Sequence, residues 1–127
     1  MADATEPLPE PRPDGADYLF LHVPEPELLG TARGETGDPT SWVRDVERRG
    51  VTLGGFRLRD ADAGTSATVR RRSGETLVMR GPYAEIAEQI AGIDLVRAAD
   101  LDEALDIAGA HPTAHLGVIE VRPFVAA

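Results

Sequence analysis

The sequence contains no cysteine and no lysine. Without cysteine there are no disulfides, no thiolate nucleophile and no Cys-based zinc or iron–sulfur site. With every one of the 13 basic residues an arginine, Schiff-base chemistry, pyridoxal phosphate anchoring and a phosphate loop ending in Gly-Lys are excluded. Positive charge is itself scarce: 13 basic against 22 acidic residues leave a formal net charge of -9. A chain this acidic is repelled by phosphate backbones and anionic membrane surfaces, so neither nucleic acid nor membrane is an expected partner. The local run Arg70-Arg71-Arg72 lies beside Ser73-Gly74 and has no interleaved aromatic residues for base stacking, so it reads as a solvated hairpin tip. Long apolar runs are missing as well. Nothing approaches the ~20 apolar residues of a membrane helix, and "MADATEPLPEPRPDGAD" lacks the apolar core of a secretory signal, so a cytoplasmic protein is expected. There is no Gly-x-Ser-x-Gly elbow and no Gly-x-Gly-x-x-Gly loop, which disfavours a lipase-like hydrolase and a Rossmann oxidoreductase. No cofactor is expected, and acid/base chemistry is the main catalytic option left.

The 127 residues fit one domain. Residues 1–16 place prolines 7, 9, 11 and 13 among acidic residues and read as a disordered, solvated leader, leaving 17–127 as the folded part. "DYLFLHV" alternates Leu19, Leu21 and Val23 with Tyr18, Phe20 and His22, the period of a strand. "GDPTSWVRDVERRG" predicts a helix with Asp38 as N-cap, Pro39 in the first turn, Trp42, Val43 and Val46 as its apolar stripe and Gly50 as its stop. "VTLGGFRL" reads as a strand whose glycine pair bulges, and "TSATVRR" with "ETLVMR" as a hairpin around Ser73-Gly74. "YAEIAEQIA" suggests a short helical segment through Ile86 and Ile90, and "GIDLVRA" another strand. Asp100 with Glu103 resembles a capping box for a helix presenting Leu101, Ala104, Leu105 and Ala108 and ending at Gly109 and Pro112. "LGVIEVRPF" closes the chain as a strand. The order predicts an α+β sandwich with its helices on one sheet face, toward which Leu19, Leu21, Val23, Ile119 and Val121 are expected to point. The opposite face, with Phe20 and Leu53 or Phe56, would then need cover, and a homodimer packed sheet to sheet supplies it.

In order along the chain, "GVTLGGFRL", "RGPYAE", "AGIDLV", "DLDEAL" and "IEVRP" resemble the YCII-related family and its DGPF-domain branch, over roughly Asp17 to Phe124. The resemblance implies a ferredoxin-like unit of the dimeric α/β barrel type. The turn has Arg80 where that branch usually has Asp, and Tyr83 where it has Phe. Relatives suspected of being enzymes carry a His at the start of the first helix, where this chain reads Asp38-Pro39-Thr40-Ser41-Trp42, so their His-Asp pair does not transfer.

His22 is the first candidate for catalysis, as a general acid or base near neutral pH, with a backbone-bonded strand histidine as the structural reading. On the expected orientation it points away from the helices, into the space a dimer encloses. Glu120 and Arg122 share a face of the last strand and either hold a carboxylate substrate and orient His22 or form a structural ion pair. Asp94 interrupts the apolar "GIDLV" as an acid/base group or as an exposed edge residue. Arg57, Arg80 and Tyr83 are candidates for a cleft mouth that binds an anion, or for a solvated rim. His111 and His115 have the spacing of zinc ligands on a helix, but Pro112 between them ends the helix, so no metal is expected. Two functions remain open: a small cofactor-independent lyase or isomerase using His22 as proton shuttle and Arg122 as anion clamp, or a non-catalytic dimer that binds a small molecule or a protein. The second draws on the resemblance, since DGPF-type proteins are often encoded beside alternative sigma factors.

Overall fold

A computed structural model describes residues 17–25, 38–59, 64–83 and 90–125. The proline-rich leader, the loop ahead of the first helix and most of the segment around Ile86 lie outside the described residues. The described residues form nine elements in order: β1 (Asp17–Pro24), α1 (Thr40–Arg48), β2 (Thr52–Arg57), β3 (Ala67–Arg72), β4 (Glu75–Arg80), β5 (Gly92–Arg97), α2 (Leu101–Gly109), α3 (Pro112–Leu116) and β6 (Gly117–Pro123). Strands β2, β5, β1 and β6 form one antiparallel sheet in that order, while among the described residues β3 and β4 pair only with each other. With the β3–β4 hairpin set aside, this α+β order is compatible with the ferredoxin-like arrangement. Among the described residues no helix is long and apolar enough to cross a membrane.

Local chemistry accounts for most boundaries. Asp38 accepts hydrogen bonds from Thr40 N at 2.9 Å and Thr40 Oγ1 at 2.6 Å, which hold its carboxyl below the usual range; α1 therefore starts at Thr40, one residue later than the Asp38-Pro39 pattern predicts. The glycine pair does bulge β2: the register with β5 slips between Thr52 and Gly54, leaving Leu53 as the extra residue. Ser73 and Gly74 turn the hairpin with φ of 51° and 81°, the mirror-type turn that suits strand twist. At α2, Asp100 Oδ1 accepts from Glu103 N while Glu103 Oε1 accepts from Ala99 N, a reciprocal cap. Beyond the expected end of α2 at Gly109, Pro112 has a further role. It opens α3, because proline's missing N–H costs nothing in a first turn.

The direction of β1 is the main correction. Tyr18, Phe20 and His22 face the helices and are buried to 5%, 0% and 5% exposure, whereas Leu19, Leu21 and Val23 occupy the outer face. Register confirms the division: Phe20 lies opposite Asp94 and Val121, and His22 opposite Gly92 and Ile119, so all of these share the covered side. Ile119 and Val121 thus point to the helices as expected, but the aliphatic set of β1 does not. Both faces of this strand are apolar, and alternation alone does not say which one the helices choose. The core joins Tyr18, Phe20 and Val96 to Trp42 and Val46 of α1 and Ala104, Ile107 and Ala108 of α2. Helix α2 is rotated from its predicted face, burying Ile107 and leaving Leu101 and Leu105 about half exposed. Trp42 Nε1 donates to Ile107 O at 2.8 Å in the interior and ties α1 to α2.

On the outer face Arg97 grips Asp17 through Nε–Oδ1 at 2.7 Å and Nη2–Oδ2 at 3.0 Å, joining β5 to β1 at directly opposed positions. The inward set of β1 dictates an unequal response to truncation: Phe20→Ala should cost about 3–5 kcal/mol in urea unfolding and Leu21→Ala less, and equal costs would contradict this orientation.

Candidate functional site

His22 and Asp94 were separate candidates in the sequence, 72 residues apart; the sheet places them side by side. They sit diagonally on the neighbouring strands β1 and β5, on the covered face, and His22 Nε2 lies 2.6 Å from Asp94 Oδ2. Asp94 needs room on its far side, and Gly55 provides it: a Cβ there would sit 2.1 Å from Asp94 Oδ1. The backbone carbonyl of His22 accepts from Ala91 N at 2.8 Å, which pins the strand at the same point. With Nε2–H donating to Asp94 Oδ2, the lone pair of His22 resides on Nδ1, a buried atom with no hydrogen-bond partner among the described residues.

The group is completed by a residue that the sequence offered only as half of a disfavoured zinc pair, His111. Its ring centroid is 4.3 Å from that of His22, and the ring meets Trp42 edge-on at 4.7 Å. It precedes Pro112 and caps α3, its Nδ1 accepting from Thr113 N at 3.0 Å. The sequence signal was the His-Pro step, read only as a helix stop. Burial first, and the neighbouring His22 second, lower the pKa of His111 to about 4, with Asp94 opposing. His115, the other half of the suspected zinc pair, is exposed.

The three side chains line a cleft of about 780 Å³ between the sheet and the helices, with Trp42, Val43, Val46, Leu53 and Leu116 among its apolar walls. Arg57 lines the same cleft, in register with Gly92 beside His22. The other predicted residues lie elsewhere. Glu120 and Arg122 are exposed on the outer face, 3.7 Å from each other, and are not assembled with His22 within one protomer. Arg80 ends β4, away from the cleft lining, and exposed Tyr83 lies beneath the guanidinium of Arg70 at 5.9 Å from its ring centroid.

One donor atom from each of His22, Asp94 and His111 falls within 4.8 Å of the others, a spacing compatible with a metal ion. The hydrogen bonds favour a different use. His111 Nδ1 is occupied by Thr113 N–H and Nε2 then carries the proton, so ligation would require the opposite tautomer or loss of that bond. An imidazole paired with a carboxylate at the wall of a cleft, its second nitrogen buried and without a hydrogen-bond partner among the described residues, is of a type suited to moving protons.

The sequence matches the model of the YCII-related domain over residues 16–126. It is also similar to an uncharacterised protein of Rhizobium meliloti (strain 1021), 50% identical over 62 residues that cover 46% of this chain and 48% of that protein. The matched stretch thus spans about half of the relative's length.

The depressed pKa of His111 contributes to the acid limb of stability. The unfolded chain binds this proton as the pH falls through about 6.5 and the folded chain only near about 4, so the unfolded state holds more protons in between. The contribution is therefore complete above pH 6.5 and drains as the pH falls toward 4, by up to about 3 kcal/mol. Urea unfolding between pH 7.5 and 4.5 should show a shallower acid loss in His111→Gln than in the wild type. In a second check, Gly55→Ala should displace Asp94 and split the His22 contact, seen as a changed His22 imidazole signal by NMR.

Proposed function

The chain belongs to the YCII-related family, and from the chemistry of its cleft we propose that it is a small proton-transfer enzyme of lyase or isomerase type, working on a small organic molecule without a cofactor. The observation that carries this reading is the Nδ1 of buried His22, which has no partner among the described residues, on a ring whose Nε2 is held by Asp94. A buried polar nitrogen without a partner costs about 1–3 kcal/mol, a cost that a proton on a bound ligand relieves. Asp94 then orients the ring and stabilises its cation as His22 takes the proton. Apolar walls accept the body of the ligand, and Arg57 on the same sheet face offers a partner for a carboxylate.

The outer sheet face favours a homodimer in addition. Leu19, Leu21, Val23, Ile93 and Leu95 are only partly buried there, and Phe56, in register with Ile93, is 64% exposed. Two copies packed sheet to sheet would cover this surface in the manner of a dimeric α/β barrel, with Glu120 and Arg122 at the seam rather than in the cleft. A dimer that binds its ligand without turning it over shares the same cleft.

Imidazole NMR titration of His22, His111 and His115 against small carboxylates and phenols tests the site. At least one ligand should move the His22 signals, the effect should survive Glu120→Gln, and Asp94→Asn should abolish it. His22 signals that ignore every ligand would remove the basis for a proton-transfer cleft.

A further inference from the structure

We propose that His111 is a second catalytic residue of this cleft: a neutral imidazole whose Nε2–H donates to the carbonyl oxygen of an enolisable ketone or 2-keto acid, while His22 Nδ1 removes a proton from the adjacent carbon. The assignment rests on the reading of His22 as base and narrows its substrates to carbonyl compounds.

The geometry fixes the tautomer. Pro112 has no N–H, so Thr113 supplies the first amide of α3, and that amide donates to His111 Nδ1 at 3.0 Å. A nitrogen that accepts a hydrogen bond bears no proton, so the neutral ring carries its proton on Nε2. Nε2 makes no hydrogen bond to another described residue, and His111 lines the cleft. The ionisable groups around it are His22 from β1 and Asp94 from β5, with Glu47 of α1 and Arg57 of β2 also lining the cleft. Burial and a protonated His22 both keep His111 uncharged, Asp94 opposes them, and the outcome is a pKa near about 4. The ring thus remains a neutral donor at neutral pH, in a site where a developing oxyanion gains most from a preplaced N–H.

The step balances without an oxidant or reductant. The C–H electron pair becomes the C=C bond, the carbonyl π pair moves onto oxygen against His111 Nε2–H, and the proton rests on His22 Nδ1, its imidazolium held by Asp94. Return of that proton to oxygen gives the enol and its return to carbon regenerates the ketone. A 2-keto acid with a flat apolar body matches the remaining features: carboxylate toward Arg57, body against the apolar walls, carbonyl toward His111 and the acidic C–H toward His22. Phenylpyruvate has each of these parts and is the probe used.

Two measurements on the full chain test the proposal. Long-range ¹H–¹⁵N NMR between pH 6 and 8 should find His111 neutral with its proton on Nε2; a proton on Nδ1, or a His111 cation at pH 6, overturns it. Ultraviolet-monitored tautomerisation of phenylpyruvate should be accelerated by the wild type, and His111→Ala should lower kcat by about 10²-fold with little change in KM. His111→Gln, which returns an N–H donor near Nε2, should recover part of that loss, with circular dichroism reporting that both variants are folded. If His111→Ala retains wild-type kcat while His22→Gln loses it, the role of His111 is overturned and the His22 base stands. If the wild type does not accelerate the reaction although other acids move the His22 signals, the carbonyl class is overturned and the base again stands. If the rate is accelerated but neither variant alters it, both assignments are overturned.

Discussion

The 2.6 Å contact between His22 Nε2 and Asp94 Oδ2 ties the polar cluster of the cleft to the fold. It exists because β1 and β5 are neighbours in the sheet, because their register sets Phe20 against Asp94 and Gly92 against His22, and because Gly55 on β2 leaves space behind the carboxylate. A one-residue slip in that register would send one partner to the outer face and end the pair. The helices complete the arrangement by covering this side, and away from bulk water a charge-assisted hydrogen bond gains strength.

The interior is accordingly divided. Tyr18, Phe20, Val96, Val46, Ala104 and Ile107 form an apolar core, and at its margin a polar line runs from Asp94 through His22 to His111, bounded by Trp42. Trp42 serves both parts, since its indole N–H bonds to the carbonyl of Ile107 while its ring packs against His111. The group that stabilises the helix pair is thereby also a wall of the cleft. The polar line is satisfied at Asp94 and at His111 Nδ1, while His22 Nδ1 has no hydrogen-bond partner among the described residues.

Much of the fold was legible because it follows local rules. The strand at Asp17–Pro24, the bulge at the glycine pair, the turn at Ser73-Gly74 and the cap at Asp100 each depend on residues a few positions apart. The site was legible only as an inventory. His22 and Asp94 stand out as polar residues in apolar strands, and Arg57 as a residue of a cleft mouth; His111 stands out only as half of a disfavoured zinc pair, because His-Pro after a helix signals a stop before it signals a cap. Glu120 and Arg122 were grouped with His22 because β1 was oriented the wrong way round.

That error marks the boundary between the two levels. The sequence by itself determined the strands and the two longer helices, the absence of thiol and lysine chemistry, and the residue types available for proton transfer. Only the tertiary structure decided that the helices dock on Tyr18, Phe20 and His22 rather than on Leu19, Leu21 and Val23, and with that choice the partners of His22 changed from Glu120 and Arg122 to Asp94 and His111. The physical reason is that strand alternation has a period of two and is symmetric between the faces when both are apolar. The symmetry is broken by the fit of Trp42, Val46, Ala104 and Ile107 against the bulky side of β1, a contact among residues far apart in the chain.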